Sequence, residues 1–454
     1  MKLPRSFAVV TTCAALAACA KGGDTAPAGS ASASAAASAA PADDVEAFLR
    51  DPKAELSEEL YDRLVAGMAE CTLVGPAVDP KCAGYDRFRR ARSRAAAQKN
   101  LGTLNANVGR KHIGHASAAV RLQAAQLLQS AFGVDASAQG AVVEAGKKET
   151  EPAVLAAMLR VVGSRHKQAE DVKALLLQMA DHADETVRKE ALSWFLTSFG
   201  EGVPGTFEKV LERMEKDPSV TVRAFLCDRL YGSGDERALP VFEKLLKDKE
   251  TPKQVYDGCW SGLIKSWTGF PRPSNPSKKG YELTLSILEA KPRTGERPSW
   301  SGLANLRAAQ TEFRPNDKFG TEWFEKVKPW YKRDRLLKVL EDLVTDPKAN
   351  WMARTGAVDV MKELGAPKAV FERLLKKYEK ADKGDDAHVK RRVEDALRRL
   401  AMPPASGSIL TPPGLPPGHP GALPPGHPGH PGGPPPGAGG PPPGAPPAPP
   451  PRPQ

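Results

Sequence analysis

The chain has 454 residues, 40 of them Gly and 43 Pro, and its 65 Lys and Arg against 54 Asp and Glu leave a formal net charge of +11. Such a balance favours acidic or anionic partners and bears on solubility rather than on fold. With the apolar start, the Ala/Ser stretch and the Pro/Gly tail set aside, Asp43 to Met402 remain, read most economically as one elongated domain.

At the N-terminus, Lys2 and Arg5 precede an apolar run from Phe7 to Leu16 that is too short to cross a bilayer and stay there. The run closes on Leu16-Ala17-Ala18-Cys19, which resembles the lipobox of bacterial lipoprotein signals. That resemblance implies a signal peptide over 1–18, cleavage before Cys19, diacylation of the Cys19 thiol and acylation of the new amino terminus. The lack of Asp at position 20 resembles the outer-membrane default, so the expected place is the cell envelope, facing the periplasm. Ala18-Cys19-Ala20 also fits ordinary secretory cleavage, which keeps a secreted or periplasmic protein as the alternative. A lipid anchor makes the membrane a partner, each buried methylene contributing about 0.8 kcal/mol. Nucleic acid is not expected as a partner in that compartment. Residues 19–42, Ala- and Ser-rich after the cysteine, read as a disordered spacer.

Residues 43–110 are expected to form a helical cap region. Cys13 leaves with the signal and Cys19 carries lipid, so Cys71, Cys82, Cys227 and Cys259 remain, an even number that suits an oxidising compartment. Cys71 and Cys82 flank a loop bearing Gly75, Pro76 and Pro80 and are expected to pair. Cys227 and Cys259 either pair or serve as small apolar core residues. No cysteine spacing fits a zinc site or a redox dithiol. A basic run from Arg87 to Arg94 around Phe88 reads as a solvated helix face or an anion patch.

From residue 111 a short pattern recurs, with anchors at Val120, Val154, Val187, Val222 and Val255, then Ala353 and Val389. The spacings are 34, 33, 35 and 33 residues, then 98, close to three repeats, and 36. Apolar residues follow each anchor at helical spacing, as in Val187, Ala191, Trp194 and Phe195. Three residues before the anchors stand Ser117, Asp184, Ser219, Asn350 and Asp386, all able to cap a first helical turn, while Pro152 suits a first-turn position. Helical runs such as Lys173 to Ala180, Phe207 to Lys216 and Ala238 to Lys247 lie between. Two helices per repeat can bury their apolar faces only by stacking on neighbours, so the expected fold is all-α, an α-solenoid.

Val120-Arg121, Val187-Arg188, Val222-Arg223 and Ala353-Arg354 resemble the second-helix start of HEAT-like repeats, and Val389-Lys390 matches by charge. Val154-Leu155 and Val255-Tyr256 depart from it. The resemblance places HEAT-like repeats over 111–265 and 346–402 and implies that these arginines are structural, hydrogen-bonding between repeats.

Residues 266–345 break the pattern and read as Trp/Arg-rich degenerate repeats. Six of the seven tryptophans fall between Trp260 and Trp351, together with 17 Lys and Arg against 11 Asp and Glu. Rings offer flat apolar area and Arg a bidentate fork, which nominates Arg272, Arg293, Arg297, Trp300, Arg314, Trp330, Tyr331 and Arg333 as partner-binding candidates. Against this stands the reading that the tryptophans plug a core. Trp300, between Pro298 and Gly302, is the least helical and the one expected to be exposed.

No nucleophile elbow, zincin helix or phosphate loop is present, and His112 with His115 lacks a nearby third ligand in sequence. The expectation is a non-enzyme with no metal and no cofactor. The tail, 403–454, is Pro/Gly-rich and carries His419, His427 and His430; its composition implies extended disorder and excludes collagen. Together these features point to a membrane-anchored, non-catalytic scaffold for an envelope protein. The alternative is binding of an anionic polymer such as lipopolysaccharide or peptidoglycan; an envelope enzyme is the least favoured reading.

Overall fold

The structure is a computed structural model and describes residues 42–51, 53–131, 136–166, 169–196, 203, 205–230, 236–268, 275–290, 298–310 and 318–402. Cys19, the spacer and the Pro/Gly tail therefore lie outside the described residues, all of which belong to one unit, Ala39–Gln454. Within them the fold is all-α apart from one small hairpin. The helices run in the order α1 Ala42–Arg50, α2 Glu58–Ala66, α3 Ala83–Arg94, α4 Leu101–His112, α5 Ala118–Ser130, α6 Ala136–Lys148 and α7 Pro152–His166. They continue with α8 Glu170–Met179, α9 Glu185–Ser193, α10 Phe207–Lys216, α11 Val220–Arg229, α12 Leu239–Lys247, α13 Lys253–Thr268 and α14 Lys278–Glu289. A short α15, Trp300–Ala304, passes directly into a 3-10 helix, Asn305–Ala309, before α16 Lys318–Val327, α17 Arg333–Thr345, α18 Trp351–Glu363, α19 Lys368–Lys377 and α20 Gly384–Ala401. None of the described helices is long and apolar enough to cross a membrane.

Several helix starts are set by side-chain caps. Asp184 accepts from the amides of Thr186 and Val187, Ser219 from that of Val222, and Asn350 from that of Met352. Each satisfies donors that the first turn leaves free. Pro152 opens α7, where its missing N–H costs nothing. Ser117 stands at the start of α5 but its side chain makes no cap hydrogen bond, and Asp386 departs from the expected cap position altogether. Gly384 adopts a positive φ of 68° and lets α20 begin earlier, so Asp386 lies inside the first turn with its carboxylate free to meet another helix.

All seven anchors are buried: Val120, Val154, Val187, Val222, Val255 and Val389 at 0% exposure and Ala353 at 1%. The anchor-bearing helices pack on one another in chain order, α5 on α7, α7 on α9, α9 on α11 and α11 on α13. The order continues from α13 to α15, from α15 to α18 and from α18 to α20. Where a spacing of 98 residues suggests two degenerate repeats, a single segment, α15 with its 3-10 extension, thus stands between α13 and α18. The residues left over build α16. At the N-terminal end, α2 packs against α3, α4 and α5, and the hairpin of β1 (Leu73–Val74) and β2 (Ala77–Val78) is closed beneath by a Cys71–Cys82 disulfide with a Cα–Cα distance of 5.6 Å.

Helices α11 and α13 come closest. Cys227 and Cys259 are joined across them at a Cα–Cα distance of 4.4 Å, and both are fully buried. The approach depends on Gly262, where a Cβ would lie 1.9 Å from the Cys227 carbonyl oxygen.

Candidate functional site

The residues that look most chemical in the sequence divide into those the framework uses and those it leaves facing outward. The anchor arginines belong to the framework. Arg121 donates through Nε and Nη2 to Glu149 at 2.6 and 2.9 Å, and through Nη1 to the carbonyls of His115 and Ala116. Two repeats on, Arg188 does the same to Asp217 at 2.9 and 2.8 Å and to the carbonyls of His182 and Ala183. Arg354 donates to the Val344 carbonyl, the Tyr378 hydroxyl and the Asp386 carboxylate. Burial alone raises the Glu149 carboxyl, but Arg121 and the amides of Glu151 and Thr150 outweigh it and hold the group below the usual carboxylate range.

The receiving positions are themselves caps. Glu149 and Asp217 accept from the amides two residues on, at 2.8 and 2.9 Å, and in the alternate repeats His115 and His182 do so through Nδ1 at 3.0 Å. An arginine therefore pairs only where the next repeat offers an acid. Leu155 and the repeat after it illustrate the complement, because His182 stands where a carboxylate would be. His112 is likewise engaged, its Nε2 lying 2.7 Å from Asp62 Oδ1. Among the described residues no cluster of three or more His, Cys, Asp or Glu is arranged to hold a metal ion.

Of the candidates from the Trp/Arg-rich stretch, Arg272, Arg293, Arg297 and Arg314 lie outside the described residues. The structure brings Tyr331 and Trp330 into an aromatic core rather than a surface. Tyr331 is 6% exposed, its ring packs near Trp267, Tyr281 and Trp323, and its hydroxyl donates to the Ala309 carbonyl. Trp330 is half-buried with its ring 5.7 Å from Tyr281. Trp323 Nε1 donates to the Trp267 carbonyl and Trp267 Nε1 to Thr284, so both indoles are satisfied inside. Arg333 donates to the carbonyls of Leu364 and Gly365 at the end of α18, a C-capping task. Trp300 alone among these is exposed, at 45%, although it is helical, the first residue of α15 behind the cap Ser299.

Trp300 leads to a group that residue patterns do not single out. Its ring lies on α18 at Gly356, where a Cβ would stand 2.5 Å from Trp300 Cδ1. One turn further along α18 is Asp359, 8% exposed, a buried carboxylate on a helix that also buries Arg354 and Thr355. Arg392 from α20 approaches Asp359 Oδ2 at 2.8 Å and Arg307 from the 3-10 segment at 3.8 Å. Arg392 thus ion-pairs with that oxygen, although neither guanidinium is aligned for a full hydrogen bond to it. Burial pushes the Asp359 carboxyl up, against the pull of Arg392, Arg307 and Lys362. The polar line extends back along the array, since Asn305 donates to Ser261, and Ser261 and Lys265 donate to Asp228 on α11. The only sequence signal of this site is a lone carboxylate, Asp359, between Ala357-Val358 and Val360-Met361. No protein-family model and no curated protein matches the sequence.

Proposed function

We propose that this chain is a lipid-anchored, non-catalytic scaffold of HEAT-like repeats, an α-solenoid that presents a surface to a protein partner in the bacterial envelope. The observation that carries the reading is the chain-ordered packing of the anchor helices, with buried arginines spent on joining one repeat to the next. Stacked helix pairs of this kind form extended surfaces whose stability is a sum of nearest-neighbour terms. The Cys19 motif supplies the anchor, the Ala/Ser-rich residues before α1 the spacer, and 403–454 a Pro/Gly-rich tail. Outer-membrane attachment facing the periplasm follows from the residue after Cys19. Among the described residues, the anchor arginines, Tyr331, Trp267, Trp323 and Arg333 serve helix ends and the core, which favours a scaffold over an enzyme.

The test is crosslinking capture from membranes with the native chain and with Cys19→Ser. The variant is expected to fold, to leave the membrane fraction and to retain capture when mixed with detergent-solubilised envelope. Because α14 lies inside the Trp/Arg-rich stretch, that stretch is probed by reversing Arg272, Arg293, Arg297 and Arg314 to Glu rather than by excision. Unchanged capture by the reversed chain would remove this region as the contact surface.

A further inference from the structure

The placement of Trp300, Arg307, Asp359 and Arg392 has a chemistry that the scaffold reading leaves unused. Among the described residues, seven buried side-chain polar atoms have no hydrogen-bond partner, and three of them lie on or against the α15 segment: Trp260 Nε1, Arg307 Nε and Asp359 Oδ2, the last held by Arg392 in an ion pair at 2.8 Å. Trp260 is placed there by Gly302, where a Cβ would sit 1.8 Å from its ring. Buried polar groups in folded proteins are nearly always paired, so a concentration at the one irregular step of the array calls for a cause.

The arrangement is selective about what could satisfy it. The Arg307 and Arg392 side chains are partly accessible, at 32% and 37%, and flank a carboxylate that is 12% accessible. An inorganic anion would meet two guanidinium groups but also Asp359, and would make no use of the indole. A neutral apolar group would cover Trp300 and strand all three charges. A ring that carries hydroxyl donors, an apolar C–H face and an acidic substituent answers the accessible elements at once: the hydroxyl to Asp359, the acid to the arginine forks, the C–H face to Trp300; Trp260, fully buried, stays outside this contact.

We propose that Trp300, Arg307, Asp359 and Arg392 form a subsite for a carboxylate-bearing saccharide residue, seated on the α18 face between the 3-10 segment and α20. Binding here is independent of a protein partner. It gives the scaffold a second contact, with acidic glycan.

The test is calorimetric titration of the full chain with the disaccharide of N-acetylglucosamine and N-acetylmuramic acid, the neutral disaccharide of N-acetylglucosamine serving as comparison. The acidic sugar is expected to bind at least about 10-fold more tightly, the scale of a hydrogen bond to a charged group. Trp300→Ala, Arg307→Ala, Arg392→Ala and the isosteric Asp359→Asn should each weaken it by about 10- to 100-fold at unchanged far-ultraviolet circular dichroism. Arg335→Ala, which removes an exposed arginine of α17 paired with Glu282 and Glu289 on α14, should leave it intact. Equal affinity for the two sugars, no binding of either, full competition by equimolar inorganic phosphate, or equal loss in Arg335→Ala would each overturn the proposal. Partner capture is read separately, so failure here leaves the scaffold reading standing.

Discussion

Replacing Arg188 with Ala removes the most deeply enclosed charge pair joining two repeats. The Arg188 side chain is 6% accessible and Asp217 0%. Truncating one member of such a pair strands the other, which costs about 3 to 5 kcal/mol. Asp217 keeps the Ser219 amide and has Arg213 at 3.8 Å, while the carbonyls of His182 and Ala183 lose a donor. The lower end, about 3 kcal/mol, is therefore the expected cost, equivalent to roughly 100-fold in the local opening equilibrium. In a stacked array the effect should be local, so hydrogen exchange read by mass spectrometry is the appropriate assay. Peptides from α9 to α11 should exchange about 100-fold faster, with α17 to α20 unchanged. Arg188→Ala/Asp217→Ala should recover part of the loss, because the stranded carboxylate goes with its partner. A single variant whose exchange matches wild type, or one that accelerates exchange everywhere equally, would refute both the energetics and the nearest-neighbour logic.

Three further outcomes are expected. Gly262→Ala should destabilise α11 and α13 by about 1 to 3 kcal/mol in urea unfolding, because the added methyl meets the Cys227 carbonyl, whereas an alanine at Gly140, where nothing lies within 4 Å, should be tolerated. Trp267→Ala, which empties a fully buried site, should cost about 3 to 5 kcal/mol, while Trp300→Ala should change the unfolding midpoint little. For pH, the Glu149 carboxyl is lower in the folded than in the unfolded chain. Its contribution is complete above the ordinary glutamate pKa and is lost as pH falls through the lower folded value. Acid titration of stability should thus be shallower below about pH 4.3 in Glu149→Gln, which starts less stable at neutral pH; an unchanged slope would remove Glu149 from the acid response.

The helix starts at Asp184, Ser219 and Asn350 are legible in the residues because capping is local and acts within one turn, whereas Ser117, at the same offset from its anchor, makes no such bond. Asp386 shows the limit of that rule, since a glycine two residues earlier can begin the helix by itself and change what the carboxylate does. The arginine pairs are half legible. Val-Arg announces an arginine at a repeat boundary, but its partner, 28 or 29 residues away in the Arg121 and Arg188 pairs, is defined only once helices stack. For the tryptophans residue type is neutral between core and surface, and contacts from α13, α14 and α16 decide that Trp267 and Trp323 are enclosed. Asp359 is almost invisible in sequence, because what distinguishes it is the arrival of Arg307 and Arg392 from separate elements.

The capping positions that receive the arginines alternate, histidine at 115 and 182, acid at 149 and 217, and this gives that part of the chain a parity. Removing one repeat would bring Arg121 against His182, a mismatch of donor with a ring already committed to an amide. Removing two would bring it against Asp217 and restore the bidentate pair. Between His115 and Asp217 the unit by which the array can be shortened or lengthened without loss is therefore the couple; the parity ends there, since the next repeat again offers acids, Asp248 and Glu250.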